Sequence, residues 1–316
     1  MKKKLLCVLI LLLSTIISVY SQNFKFPEEL IIDTSYDPLY KIKFLSETEL
    51  ELVYVAREIP KKGKYGVVDY EIIDDTKKVK YCVKHDYGIP YIELEEAIPI
   101  TALKRTDLPE EARKRIYFIS CLYDGGSYPS LFGGIAGDHF FNTPVTKDRL
   151  GTIEYKSSSY LIEGSIHYDE TNLFFSNWKW PDGSNYDLPW VENVPGYGIG
   201  EYVEIKDVTP EPYKKKINYL LILNGYFSVE KPYLYKQNSR VKQIKVTGLN
   251  SGKEKILDVL DTPHPQTVDI SFLYVQEPFR VTIMDVYKGT KYDDTCINCM
   301  EPYPYAVIPY EDSIGE

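Results

Sequence analysis

Apolar residues in this chain recur at every second position or in short β-branched runs, and only one stretch carries the signature of a helix. Residues 48–56 alternate acid with apolar before turning fully apolar, the period-two sign of a strand with one wet face. Segments 65–73, 79–83, 91–94 and 116–122 read as further strands, the first two separated by a polar turn at 74–78. In the second half, 216–223 is strongly apolar and ends at the turn-forming pair Asn224-Gly225. Residues 242–246 alternate, Val268, Ile270 and Phe272 share one face, and 280–287 is the last strong strand. The one helix expected covers 107–115: Asp107 to cap, Glu110 to complete a capping box, acids leading and bases following along the helix dipole. Strands with turn signals every ~8–12 residues and so little helix predict an all-β fold, a sandwich or barrel. Tyrosine fits that class: 29 Tyr against 12 Phe suits half-buried strand positions, with an apolar ring and a hydroxyl that needs a partner.

Residues 1–21 read as an export signal. Lys2, Lys3 and Lys4 form a basic start, 5–19 is almost unbroken hydrocarbon, and Ser21 supplies the small residue before Gln22. The apolar run is short for a membrane span of about 20 residues, and no second long run follows. The mature chain is therefore expected to be exported without a transmembrane segment: periplasmic, secreted or envelope-associated. Losing three lysines makes it three charges more negative than the formal −9. With no Lys/Arg stripe to offset this, a nucleic-acid partner is not expected. The remaining length suits about two domains. We place a smaller, mainly-β domain with one short helix at 22–152 and a second domain at 153–300. The glycine-rich stretch 123–144 between them reads as a long loop. Residues 301–316 form a Pro/Tyr-rich tail expected to stay out of a central sheet, because each proline removes a ladder donor.

Motifs for catalysis are weak. Gly196-Tyr197-Gly198-Ile199-Gly200 leads into a strand rather than a helix, so it is a turn and not a dinucleotide loop. The four histidines are scattered, no G-x-S-x-G elbow exists, and with so many acids no pair can be chosen for glycoside hydrolysis. No catalytic residue is named, and a non-enzymatic role is favoured. No cofactor is expected: Asp293-Asp294 raises calcium without supporting it, two acids being far short of six to eight oxygens. After export four cysteines remain. Cys82 and Cys121 could bridge within the first domain; for Cys296 and Cys299 a local disulfide or free thiols rank ahead of redox or zinc chemistry.

Several motifs in the second half coincide with one family. They are 187–192 (Asp-Leu-Pro-Trp-Val-Glu), 196–201 (Gly-Tyr-Gly-Ile-Gly-Glu), Leu223-Asn224-Gly225-Tyr226, Asn238-Ser239-Arg240-Val241-Lys242, Gln266, and the run 285–296 ending Asp293-Asp294-Thr295-Cys296. From about 157 to 300 the chain resembles the NADase-type glycan-binding domain, a discoidin-like member of the galactose-binding-like jelly rolls. The resemblance implies a β-sandwich presenting loops to carbohydrate or glycoconjugate. It departs at Ile297-Asn298-Cys299, where the family usually has Ile-Ser-Glu. Tyr197, Asn224 and Tyr226 are the preferred ligand candidates, since a sugar site needs an aromatic face and planar hydrogen-bonding groups. Trp190, Asn238 and Arg240 are further candidates, with Trp190 weighing more toward core. Arg240 could instead pair with Glu201 across the sandwich. Two other readings stay open: an envelope protein-interaction or structural module, and a first domain acting as an enzyme on cell-surface polymer near Asp124, Asp138 and His139.

Overall fold

The period-two pattern of the first half builds an antiparallel meander. Its strands are β1 (Glu29–Ile32), β2 (Leu39–Phe44), β3 (Glu49–Ile59), β4 (Asp69–Glu71), β5 (Thr76–Asp86) and β6 (Ile89–Leu94). After a one-turn helix α1 (Glu110–Arg113) come β7 (Arg115–Tyr123), β8 (Ser130–Ile135) and β9 (Asp138–Asn142). They pair in the order β1-β2-β3-β5-β6-β7-β8-β9, with β4 beside β3. β9 returns alongside β1, so the sheet curls toward closure. The computed structural model describes residues 29–32, 39–59, 69–71, 76–99, 107–123, 130–135, 138–142, 153–173, 188–210 and 216–309. The proposed signal at 1–21 and Asp124 lie outside them.

The second half is a sandwich. Its strands are β10 (Ile153–Ser157), β11 (Leu161–Glu163), β12 (Ile166–Tyr168), β13 (Trp190–Val191), β14 (Tyr202–Asp207) and β15 (Tyr219–Asn224). A one-turn helix α2 (Leu234–Gln237) precedes β16 (Ser239–Gly248), β17 (Glu254–Asp258), β18 (Gln266–Asp269), β19 (Phe279–Tyr287) and β20 (Thr295–Tyr303). The ladder runs β10-β14-β19-β16-β20-β15-β18, and β16 meets β20 in parallel over only two residue pairs. At that short contact the ladder turns over on itself. Val203, Ile244 and Val281 from one layer then meet Leu220, Val268 and Ile297 from the other in one buried core.

The two halves share a core of their own. On β15, Leu220 and Ile222 point into the sandwich, whereas Leu221 and Leu223 pack with Ile89, Tyr91 and Tyr117 of the first half. A strand buried on both faces reads as an unbroken apolar run, which is what 220–223 is. β20 is likewise buried from Thr295 to Pro302. A final strand, β21 (Val307–Pro309), pairs antiparallel with β7 and so returns the end of the second half to the sheet of the first.

Four expectations change. The tail does not stay out of the sheets: β20 continues through Pro302, opposite Leu220, and β21 joins β7. Pro302 is tolerated because β20 pairs with β16 only at Thr295 and Cys296, so further along nothing on that side asks for its missing N–H. The glycine-rich 123–144 contains the β8–β9 hairpin, with Gly133 and Gly134 set opposite Phe118 and Tyr117. Glycine inside a strand there marks close approach rather than loop. The helix expected at 107–115 is a single turn with Pro109 at its N-cap and no side-chain cap bond. Pairing of Arg115 onward with β6 overrides a propensity too weak to hold so short a helix. Finally, Cys82 is a free, exposed thiol, so no Cys82–Cys121 bridge forms. Cys296 and Cys299 are not bridged to each other and are buried in different clusters, both on the face of β20 turned away from the sandwich core that holds Ile297 and Met300.

Candidate functional site

Of the six candidate ligand residues, four have their polar atoms engaged inside the protein. Trp190 is 0% exposed, and its indole N–H donates to the Ser159 carbonyl at 3.0 Å. Asn224, 1% exposed, donates from Nδ2 to the carbonyls of Val241 (2.7 Å) and Leu260 (3.1 Å), and its Oδ1 accepts the Val241 N–H at 2.9 Å. Asn238 closes α2 by donating to the Leu234 carbonyl at 2.9 Å. Arg240 grips Asp261 with Nε–Oδ1 at 2.7 Å and Nη2–Oδ2 at 3.0 Å, donates to the Asn238 carbonyl, and lies over the Tyr235 ring. Burial alone would raise Asp261, but the guanidinium outweighs it and holds the carboxyl below its ordinary value. The Arg240–Glu201 pair raised as an alternative does not form. Glu201 instead accepts from Ser158 Oγ (2.6 Å) and Ser159 Oγ (2.5 Å), because β10 leads those serines to its side of the sandwich.

Tyr197 and Tyr226 lie elsewhere, on one cluster of loops at a strand end. Tyr197 is half-buried, and Lys288 Nζ sits 4.8 Å over its ring. The loop that carries it is fixed from below by Glu192, a fully buried carboxylate. Glu192 accepts N–H bonds from Val194 (2.9 Å) and Thr295 (3.2 Å), and burial raises its carboxyl above the ordinary range despite those bonds. Gly198 passes directly over it at φ 64; a Cβ there would stand 2.5 Å from Glu192 Cγ. Thr295 closes the link by donating from Oγ1 to the Tyr197 carbonyl at 2.9 Å.

Tyr226 packs in a small cluster with Tyr168, Val191 and Cys296, its ring edge-on to Tyr168 at 6.4 Å. Tyr168 belongs to the β11–β12 hairpin and donates to Glu163 Oε2 at 3.3 Å. The same hairpin stacks His167 on Tyr160, ring centroids 6.3 Å apart. Asp294 lies nearby; burial raises its carboxyl, and Glu163 and Asp293 push the same way. Burial also holds the Cys296 thiol well above its ordinary value, which disfavours the thiolate. This region thus gathers the half-buried rings of Tyr160, Tyr197 and Tyr226, the exposed His167 and the carboxylates of Glu163 and Asp294, while Tyr168 itself is buried. Sequence reasoning missed Tyr160, His167 and Tyr168. The available signal was Glu163-Gly164-Ser165 between two short apolar runs, a hairpin turn. Among the described residues no group of three His, Cys, Asp or Glu side chains could hold a metal ion. Nor is any described helix long and apolar enough to cross a membrane.

This sandwich is what a family comparison also finds. Residues 148–301 match the NAD glycohydrolase translocation F5/8 type C domain. The second half is a discoidin-like domain of that family. The match stops just short of half the chain and leaves β1–β9 outside it. Among solved structures, a family 32 carbohydrate-binding module from C. perfringens NanJ, determined in complex with galactose, shares 13% identity over 49% of this chain and 93% of its own, with a TM-score of 0.31. At that score the likeness carries no functional weight. No curated protein sequence matches the chain.

Proposed function

We propose that this is an exported carbohydrate-recognition protein whose discoidin-like domain binds glycan at the loop face carrying Tyr160, His167, Tyr168, Tyr197 and Tyr226. The observation that supports it is the composition of that face. The half-buried rings of Tyr160, Tyr197 and Tyr226 and the exposed His167 offer apolar surfaces to sugar C–H groups, beside the carboxylates of Glu163 and Asp294, and the buried Tyr168 backs Tyr226. The buried motif residues Trp190, Asn224 and Arg240 serve this reading by fixing the loops in place before ligand arrives, which lowers the ordering cost of binding. Glycan-array binding of the full chain tests it. Tyr226→Ala and Tyr197→Ala should each weaken the best array signal about tenfold, a loss of ~1.4 kcal/mol. A folded chain that binds no glycan, or binds equally well without both rings, overturns the reading. Export is tested separately: the N-terminus of the mature protein should be Gln22.

A further inference from the structure

A cleft of ≈ 250 Å³ lies where the two halves meet, lined by Glu111, Ala112, Arg115 and Tyr117 from the first half and Val229, Glu230 and Pro232 from the second. Its walls mix the apolar Ala112, Val229 and Pro232 with Arg115 and Tyr117, which are held in fixed orientations. Arg115 lies with its guanidinium 5.3 Å over the Tyr91 ring and 3.5 Å from Asp86. Tyr117 donates to the same Asp86 carboxylate at 3.3 Å. The Arg115 Nε–H is buried and has no acceptor in the protein.

Beside this wall stands an aromatic pair contributed by both halves. Tyr87, next to Asp86, and Tyr233, next to Pro232, meet edge-on with ring centroids 6.1 Å apart. Both rings are open to solvent, at 49% and 36%. Tyr87 adopts φ 51 in the two-residue β5–β6 turn, a left-handed position where Asn or Gly is at ease and a bulky ring is not. The chain therefore holds an exposed ring at a strained position, against a second exposed ring, at the edge of a cleft with an unmatched donor. Strain of this kind persists only where surrounding structure holds it, and it concentrates at sites that bind.

We propose that this cleft is a second ligand site, built jointly by the two halves, that takes one uncharged sugar ring. It does not depend on the loop-face reading. The chemistry selects the class. Aromatic faces accept sugar C–H surfaces, and Arg115, Glu111 and Glu230 offer planar donors and acceptors to hydroxyls. The volume falls below the ~300–1,000 Å³ of drug-sized pockets and so limits the occupant to about one ring. Counting Asp86 beside Arg115 and the Lys114 that pairs with Glu110 and Glu111, four carboxylates (Asp86, Glu110, Glu111 and Glu230) outnumber two cations, so a uronic or sialic acid is disfavoured.

Saturation-transfer NMR on the full chain tests this, with methyl galactoside, methyl glucoside and N-acetylglucosamine as neutral probes and glucuronic acid as the acidic one. The measurement is made in a Tyr197→Ala/Tyr226→Ala background to silence the loop face. At least one neutral probe should still bind. Tyr233→Ala or Tyr87→Gly should then weaken it about tenfold, and glucuronic acid should give no signal. Tyr87→Gly relieves the strained turn, so its melting temperature should not fall, and a loss of binding there cannot be blamed on unfolding. Three outcomes overturn the proposal: no neutral probe binds this background, neither cleft variant changes affinity, or glucuronic acid binds as well as the neutral sugars.

Discussion

Arg240 is 4% exposed, and its bidentate contact with Asp261 is the most enclosed ion pair in the second half among the described residues. Removing one partner leaves a charge with nowhere to go. Asp261→Asn should cost about 2–3 kcal/mol in urea unfolding, below the full buried-pair value because Asp261 keeps 29% of its side chain in water. His264 supplies a second test. Burial first, and His85 second, lower its pKa from 6.5 to about 3, so it is neutral in the folded protein and charged when unfolded in mild acid. The unfolded state then binds the extra proton between these values. Stability falls as pH drops through 6.5 and levels off near 3. By pH 5 the loss should reach about 2 kcal/mol. Unfolding free energies at pH 7 and pH 5 should converge in His264→Gln, and an unchanged acid slope would remove His264 as the cause. At this scale the sequence named Arg240, Asn224 and Trp190 as important but not why. Their partners Asp261, Leu260 and Ser159 come from segments 21, 36 and 31 residues away, which no local pattern connects.

Among the elements, the chain end is the one most misjudged from sequence. Prolines at 302, 304 and 309 argue against a strand, yet pairing on one side only makes Pro302 harmless, and Thr267 secures Val307 by a reciprocal pair of bonds at 3.2 and 2.8 Å. Deleting residues 305–316 removes β21, uncovers part of Tyr117, and exposes what Val307 buries. The expected loss is about 2–4 kcal/mol from one valine and a short ladder, read by denaturation and by faster proteolysis between the halves. Gly198 is the second such element. Its positive φ and its seat over Glu192 leave no room for Cβ, so Gly198→Ala should shift the Tyr197 loop and cost about 1–3 kcal/mol. Binding at the loop face should fall more than the melting temperature does.

For the whole molecule, the shared core makes the two halves one unit. Leu221, Leu223, Phe227 and Cys299 bury against Ile89, Tyr91 and Tyr117, surface that an isolated second half would leave exposed to water. All three tryptophans lie at 178–190, so fluorescence reports the second half while far-UV dichroism reports both. Urea transitions followed by the two probes should coincide; separate midpoints would show that the halves unfold independently. The departure from the family at Asn298-Cys299 has a reason at the same scale. Cys299 faces the first half inside this core, where a glutamate would be buried without water, and Asn298 accepts the Phe227 N–H at 2.7 Å to hold the adjoining loop. What the sequence determined by itself was local: strand periodicity, turn chemistry and a motif set that marks the discoidin-like sandwich. What only the tertiary structure decided is which surface those strands cover, which rings remain open, and that Tyr87 of one half meets Tyr233 of the other. Periodicity fixes the direction in which a side chain points from its strand. It carries no information about which distant strand lies opposite, because that choice is made by burial summed over the whole chain.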